Sequence, residues 1–307
     1  MNEIVDGGRR AGAPAADRDT PFRRFVADFT ASRIAVAALV TFVTIILVAL
    51  LGPLFTLQNP YDLAQLNLWD SGLPPGATGT DGQVYLLGTD DQGRDMVSAV
   101  VYGLRISLGV AISSGVIAVI IGTTAGIVAG YFGGRVDTLI MRVVDMQLAF
   151  PAVLVALILL AVLGRGVDKI IFALITVQWA YYARTVRSSA VVERRKDYIA
   201  AARCLSLGAG RVIFHHLLPN CIAPLIVLAT IEVASAVALE ATLSFLGVGL
   251  PVTEPSLGLL ISNGYQYMLS GRYWLSFYPG VALLITIVSI NLVGDQLRDV
   301  LNPRLQE

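Results

Sequence analysis

Two carboxylates stand alone in an apolar stretch of the sequence. Between Arg211 and Glu254 the only Asp, Glu, Lys or Arg residues are Glu232 and Glu240, eight positions apart. That spacing is a little over two helical turns, so on a helix the pair shares roughly one face. A carboxylate in hydrocarbon is costly and turns toward a bundle interior, a wet cavity or a partner. Two readings stand for each: a hydrogen-bonded anchor between helices, or part of a path along which a polar solute crosses. Glu232, nearer the middle of the run, is the better path candidate. Glu240, nearer its end, suits the anchor.

Other charged groups offer less chemistry. Arg142 and Asp145 are three apart, the spacing of an ion pair on a helix surface, with a gate at one membrane face as the alternative. Asp90, Asp91 and Asp95 resemble the start of a calcium loop, but the later ligands and closing Glu of an EF-hand are missing. Turn chemistry ordered by Arg94 fits better, and no metal is expected. Cys204 and Cys221 lack metal-ligand spacing, and the adjacent His215 and His216 point in different directions on a helix. With two lysines in the chain, Lys169 and Lys196, and neither after a glycine, there is no phosphate-binding Gly-x-x-x-x-Gly-Lys loop. No catalytic triad, metalloprotease motif or basic stripe for nucleic acid stands out. The sequence therefore predicts a chain that is not itself an enzyme and holds no cofactor.

The elements that must position these groups are membrane spans. The chain of 307 residues is 55% hydrophobic and 14% charged, with mean hydropathy +0.71. A soluble domain carries about 25% charged residues. The deficit lies in long uncharged runs, each near the roughly 20 residues that cross a bilayer as a helix. An all-α, polytopic fold with six spans is expected, at 34–51, 106–130, 139–163, 170–185, 217–245 and 277–293. A polar tail (1–33), with a leading stretch Asn2–Asp19 that reads as disordered, precedes the first span. An extracytoplasmic loop or small subdomain fills 52–102, with six acidic residues. A core with five spans fills 103–299, and a short tail follows (300–307). Gly122, Gly126 and Gly130, four apart, suit close helix packing within the chain or against a subunit. Gly133-Gly134 ends the second span, and Pro151 kinks or breaks the third. Lys169 can snorkel at the end of the fourth. Arginines cluster in the segments that share a side with the N-terminus (Arg9, Arg10, Arg18, Arg23, Arg24, Arg33, Arg135, Arg142, Arg184, Arg187, Arg194, Arg195, Arg203, Arg211, Arg298 and Arg304). The positive-inside rule then puts both termini in the cytoplasm. Asp295, Arg298 and Asp299 read as an interfacial anchor, with Pro303 as a helix stop.

One segment between the fourth and fifth spans is neither span nor plain loop. From Arg194 to Gly208 it reads as a short basic and polar helix at about 197–208. Asp197 suits its N-cap. Tyr198, Ala201, Ala202 and Leu205 recur at i, i+3, i+4 and i+7 as an apolar stripe. Gly208 offers the stop, and Arg211 restarts helix toward the fifth span. Such a helix can seat in a cleft of a cytoplasmic protein or lie on anionic lipid, and physical reasoning alone leaves both open.

Here the residues carry a resemblance. Tyr198-Ile199-Ala200-Ala201-Ala202-Arg203, running on to His216-Leu217-Leu218-Pro219-Asn220, resembles the EAA loop of ABC importer permeases. Leu87–Asp95, with Ser98 and Gly103–Leu108, resembles the external segment of the C-type permeases of dipeptide and oligopeptide importers. Glu240–Gly247, Asn291–Asp299, Asp145, Leu148–Pro151 and Phe277–Gly280 match the same group, and the likeness runs over most of the chain. It implies a type I importer permease fold whose coupling helix (Asp197, Tyr198, Ala201, Ala202, Arg203, Leu205, Ser206, Leu207, Gly208 and Arg211) docks into an ATPase subunit. It also implies a second permease in a heterodimer, two ATPases holding ATP and magnesium, and an extracytoplasmic binding protein that docks near Asp90, Arg94 and Asp95. The location it implies is the bacterial inner membrane. Two departures stand out: Ala200 replaces the Glu that opens the family's triplet, and Ser206 falls where its glycine is expected. Docking by shape and by the apolar stripe remains, with Arg203 and Arg211 as polar contacts. Arg142, Asp145, Glu232 and Glu240 are the path and gate candidates. Without a partner, the remaining reading is a self-contained carrier or channel using Glu232 as an ion or proton site.

Overall fold

The structure is a computed structural model that describes residues 21–62 and 65–301. The leading stretch Asn2–Asp19, Arg9, Arg10, Arg18, Pro303 and Arg304 lie outside the described residues. Part of the expected N-terminal tail is helical: α1 (Pro21–Ala31) runs up to α2 (Arg33–Leu51), which Ser32 caps by accepting from the Ala35 amide. Phe29 of α1 packs with Ala35, Ala38 and Val293, so α1 is held against the bundle.

A compact subdomain follows. It contains a two-stranded antiparallel ribbon, β1 (Ala77–Thr78) and β2 (Val84–Tyr85), and ends where Asp95 caps α3 (Met96–Phe132). Helix α3 thus begins inside the expected loop and is 37 residues long. Gly133, at φ 68°, stops it in a backbone conformation that side chains disfavour.

Helix α3 packs along α6 (Val167–Glu193), and the reason is legible atom by atom. A Cβ at Gly122 would strike the Trp179 carbonyl oxygen, one at Gly126 the Ala183 carbonyl oxygen, and one at Gly130 the Ala190 side chain. The glycine face therefore serves packing within the chain, where backbones approach as small residues permit. Helix α6 is 27 residues long, well beyond the short span expected at 170–185. Lys169 donates to the Arg165 carbonyl oxygen at 3.2 Å at its start.

The third expected span is two helices, α4 (Gly134–Leu148) and α5 (Ala152–Leu163), bent by 87° at the break. Pro151 has no amide hydrogen and holds the residue before it out of helical conformation, so it opens α5 instead of continuing α4. After the short helix α7 (Asp197–Cys204), the chain turns back through α8 (Ala209–Arg211), a π-helical turn over Val212–Leu217 and a 3-10 turn over Leu218–Cys221. Pro219 cannot donate to the ladder, which accounts for irregular turns at that point. Helix α9 (Ile222–Phe245) completes this crossing. A helix absent from the sequence expectations, α10 (Leu257–Gln266), is capped by Ser256 and precedes α11 (Trp274–Leu301).

By length and composition four crossings qualify among the described residues: 33–54, 96–132, 209–245 and 274–301; the bent pair α4–α5 would be a fifth. Helix α6 is long enough but too polar by this measure, so the expected count of six is not reached. The main core lies between α3, α5, α6, α9 and α11, around Leu108, Ala111, Leu160, Leu174 and Val237.

Candidate functional site

At the end of α6 the chain turns sharply. Lys196 and Tyr198 both donate to Glu193, each at 2.6 Å. Partial burial pushes the Glu193 carboxyl up, and these two hydrogen bonds outweigh it, so its pKa lies below the ordinary value. Asp197 opens α7 at its first helical position; the N-cap is Lys196, and no side chain caps the helix. The expected cap by Asp197 is corrected accordingly: its carboxylate favours the positive helix N-terminus by position only.

The expected apolar stripe divides between two faces. Ile199 and Ala202 are buried against Val212, Ile213 and Leu217. Tyr198, Ala201 and Leu205 face outward, Leu205 at 74% exposed. Ala202 therefore holds α7 to the chain's own core and cannot present itself to a partner. Ile199, three residues before it, is the inward residue that the i, i+3, i+4 pattern overlooked. The helix stops at Ser206, a serine at φ 55°. Gly208, at φ −58°, instead caps the start of α8. Ser206 and Gly208 are exposed, Leu207 is half-buried against the core, and Arg211 is exposed at the end of α8. Arg203 lies over the Tyr131 ring, 5.2 Å from its centroid, and Arg194 donates to the Gly130 and Tyr131 carbonyl oxygens at 3.2 and 2.8 Å. The α7 turn is thereby pinned to the far end of α3.

Near this end, α4 and α6 enclose a cleft of about 500 Å³. Arg142 and Asp145 line it but do not pair. Asp145 takes Arg184 at 2.5 Å, while Asp137 takes Arg187 through two bonds at 2.9 and 2.6 Å. The spacing of three suggested a local pair; the structure spends both aspartates on α6, which joins two elements instead of decorating one.

Deeper in the bundle the two carboxylates of α9 part company. Glu240 is fully buried and accepts from Ser107 of α3 and Ser244, both at 2.7 Å. These bonds tie α9 to α3, the geometry of an anchor. Glu232 lines a cavity of about 510 Å³ between α5, α6 and α9. Gln178 of α6, also on its wall, donates to the Glu232 carbonyl oxygen at 2.8 Å. Nothing in the sequence alone singled out Gln178; a lone amide in the uncharged part of α6, 170–183, is the signal that was there to use.

At the opposite end, Asp90, Arg94 and Asp95 are 3%, 1% and 1% exposed. Asp90 binds Arg94 at 2.5 Å and the Gln92 and Arg94 amides at 2.8 and 2.9 Å. Asp95 accepts from the Ser98 amide and hydroxyl at 2.8 and 2.6 Å. Side chains buried this way shape the subdomain and present almost no surface of their own, against the expectation that they make contacts directly. Burial pushes the Tyr85 hydroxyl up to about 12, helped by its hydrogen bond to Asp70 at 3.1 Å. Trp274 donates to the Thr89 carbonyl oxygen at 3.3 Å, tying the subdomain to α11.

Comparisons with known proteins supply the family. Residues 122–307 match the family model of the binding-protein-dependent transport system inner membrane component, and residues 20–75 match the N-terminal transmembrane domain of oligopeptide transport permease C. The chain is 35% identical over 287 residues to the dipeptide transport system permease protein DppC of Alkalihalophilus pseudofirmus, covering 94% of this chain and 91% of that one. It is 36% identical over 299 residues to the di/tripeptide permease protein DppC of Pseudomonas aeruginosa, covering 96% and 97%. Against the oligopeptide permease protein OppC of Bacillus subtilis it is 34% identical over 279 residues, covering 91% and 88%. Among solved structures, an inward-facing form of the MetNI methionine ABC transporter superposes with TM-score 0.56 at 20% identity, over 67% of this chain and 98% of that one, a likeness of fold. The self-contained carrier is not favoured by these matches. The chain belongs to the family of inner-membrane components of binding-protein-dependent transport systems.

Proposed function

We propose that the chain is the transmembrane permease subunit of an ATP-driven importer of di- and oligopeptides, forming half of the path and taking its motion from ATPase subunits. The carrying observation is the two-faced helix α7: Ile199 and Ala202 are sunk in the chain's core, and Ala201 and Leu205 stand outward. An exposed apolar face on a helix so firmly held suits a rigid contact made with another protein. The peptide solute is carried over from the named relatives, which share a third or more of the sequence across nearly the whole chain.

In this reading α7 and both termini face the cytoplasm, and ATP and magnesium belong to the two ATPase partners. A second, distinct permease covers the cavity beside Glu232. The subdomain is the docking place of the binding protein, offering exposed Leu68, Trp69 and Leu86 around the turn that Asp90 and Arg94 fix. The Asp137–Arg187 and Asp145–Arg184 pairs act as the gate on the cytoplasmic side. The test is purification of the tagged chain from its native membrane in mild detergent, with peptide uptake measured in vesicles. Recovery of a second permease and ATPases, together with ATP-dependent uptake of a dipeptide, is the expected result. A chain that purifies alone in several detergents overturns the reading.

A further inference from the structure

The two carboxylates of α9 differ in what satisfies them. Glu240 spends its oxygens on two serine hydroxyls. Glu232 is 8% exposed, and among the described residues no Lys or Arg comes within ion-pair distance of it. Keeping a carboxylate so placed ionised is expensive unless something of opposite charge visits it. Its surroundings point the same way. The amide of Gln178 is oriented by its bond to the Glu232 carbonyl oxygen, which leaves the Gln178 Oε1 as a buried acceptor without a donor. Unpaired buried polar groups are rare in finished cores and call for an explanation.

The cavity supplies one. At about 510 Å³ it is the size of a small-molecule site. No cationic residue lines it. Glu232 gives negative charge, Ser235 and Thr242 give hydroxyl oxygens, and Tyr181 gives an aromatic face. A primary ammonium carries three donors and no acceptor, and is held by a carboxylate, neutral oxygens and an aromatic ring.

We propose that this cavity is a transient site for a primary ammonium group of the solute, with the Glu232 carboxylate as its counter-charge and as a selectivity determinant of the path. The identity of the solute rests on the peptide reading, in which the α-ammonium of the peptide is the group held.

The test uses the whole complex in native membrane vesicles, with exposed Cys204 replaced by Ser and a reporter thiol introduced by Ser235→Cys. Modification rates are measured with a cationic and a neutral methanethiosulfonate reagent of similar size, each normalised to its rate with a free thiol. The cationic reagent is expected to be favoured by about tenfold. Glu232→Gln should abolish the preference and Glu232→Asp should keep it. Dialanine should slow modification, and N-acetyl-dialanine at the same concentration should not. A preference that survives Glu232→Gln, equal protection by both dipeptides, or a thiol inert to both reagents would overturn the site. If Glu232→Gln fails to assemble, the two dipeptides decide in the Glu232 background. Peptide uptake by the parent vesicles is scored separately: no uptake with the cation preference intact sinks the peptide reading and leaves the ammonium site, and the converse sinks the site alone.

Discussion

At the residue scale the bundle uses the same side chain for opposite ends. Glu240 joins α9 to α3 through Ser107, so removing it strands two buried hydroxyls. Glu240→Ala is expected to lower stability by about 2 kcal/mol, the cost of orphaning buried polar groups, read as a lower melting temperature of the detergent-solubilised complex. A second expectation concerns Tyr85, whose folded pKa of about 12 lies above the ordinary value near 10. For a group raised on folding, the associated stability is complete below the unfolded value and is lost as pH climbs to the folded one. The subdomain should therefore keep its structure to about pH 10 and loosen toward about pH 12. Tyr85→Phe, which does not titrate, should remove that step from a proteolysis-against-pH profile. Both carboxylates were legible in the sequence as lone charges in an apolar run. The partner of Glu240 was not, because Ser107 lies 133 positions away from it and only folding brings it near. Arg142 and Asp145 misled for a related reason: local spacing proposes a pair, and a longer-range arginine outcompetes it.

At the scale of elements, close contact decides more than hydrophobicity. A methyl group at Gly126 meets the backbone of α6; a carbonyl oxygen in a packed helix cannot swing aside as a side chain can. Gly126→Ala is expected to cost about 1–3 kcal/mol and to reduce the amount of assembled complex recovered from membranes, with Gly109→Ala, where the added carbon meets nothing, as the control. The glycine spacing announced this packing in the sequence because four-residue periodicity is a property of one helix. The break between α4 and α5 was only half legible: Pro151 marked it, but the direction of an 87° bend depends on what each helix packs against. The division of α7 into two faces was harder still. Tyr198, Ala201, Ala202 and Leu205 fit a stripe on paper, yet a helix of 8 residues has room for two short faces, and the core behind it chose Ile199 and Ala202.

At the scale of the whole molecule, the two alanines of α7 should separate folding from coupling. Ala202→Leu inserts bulk into a filled core and is expected to reduce recovery of the chain. Ala201→Trp adds bulk to an outward face and should leave recovery unchanged while lowering peptide-stimulated ATP hydrolysis at least severalfold. Equal ATPase activity in Ala201→Trp and parent complexes would remove the exposed face of α7 from the contact. The general architecture was legible from composition, the uncharged runs and the order of the family blocks. The count of crossings was less so, since α6 mixes span and polar segment in one unbroken helix.

One feature spans all these distances. Helix α3 starts at the Asp95 cap within the subdomain and ends at Phe132, beside Tyr131, which lies under Arg203 and accepts from Arg194 of the α7 turn. Its 37 residues make a rod of about 55 Å at 1.5 Å per residue. In the proposed orientation the two faces of the membrane are thus joined by a single covalent strut, stiff along its axis and keyed to α6 by its glycines. With the ATPases proposed at the α7 end, news of an event at the subdomain would reach them as the tilt of one beam, with no relay of side chains to be rewired along the way.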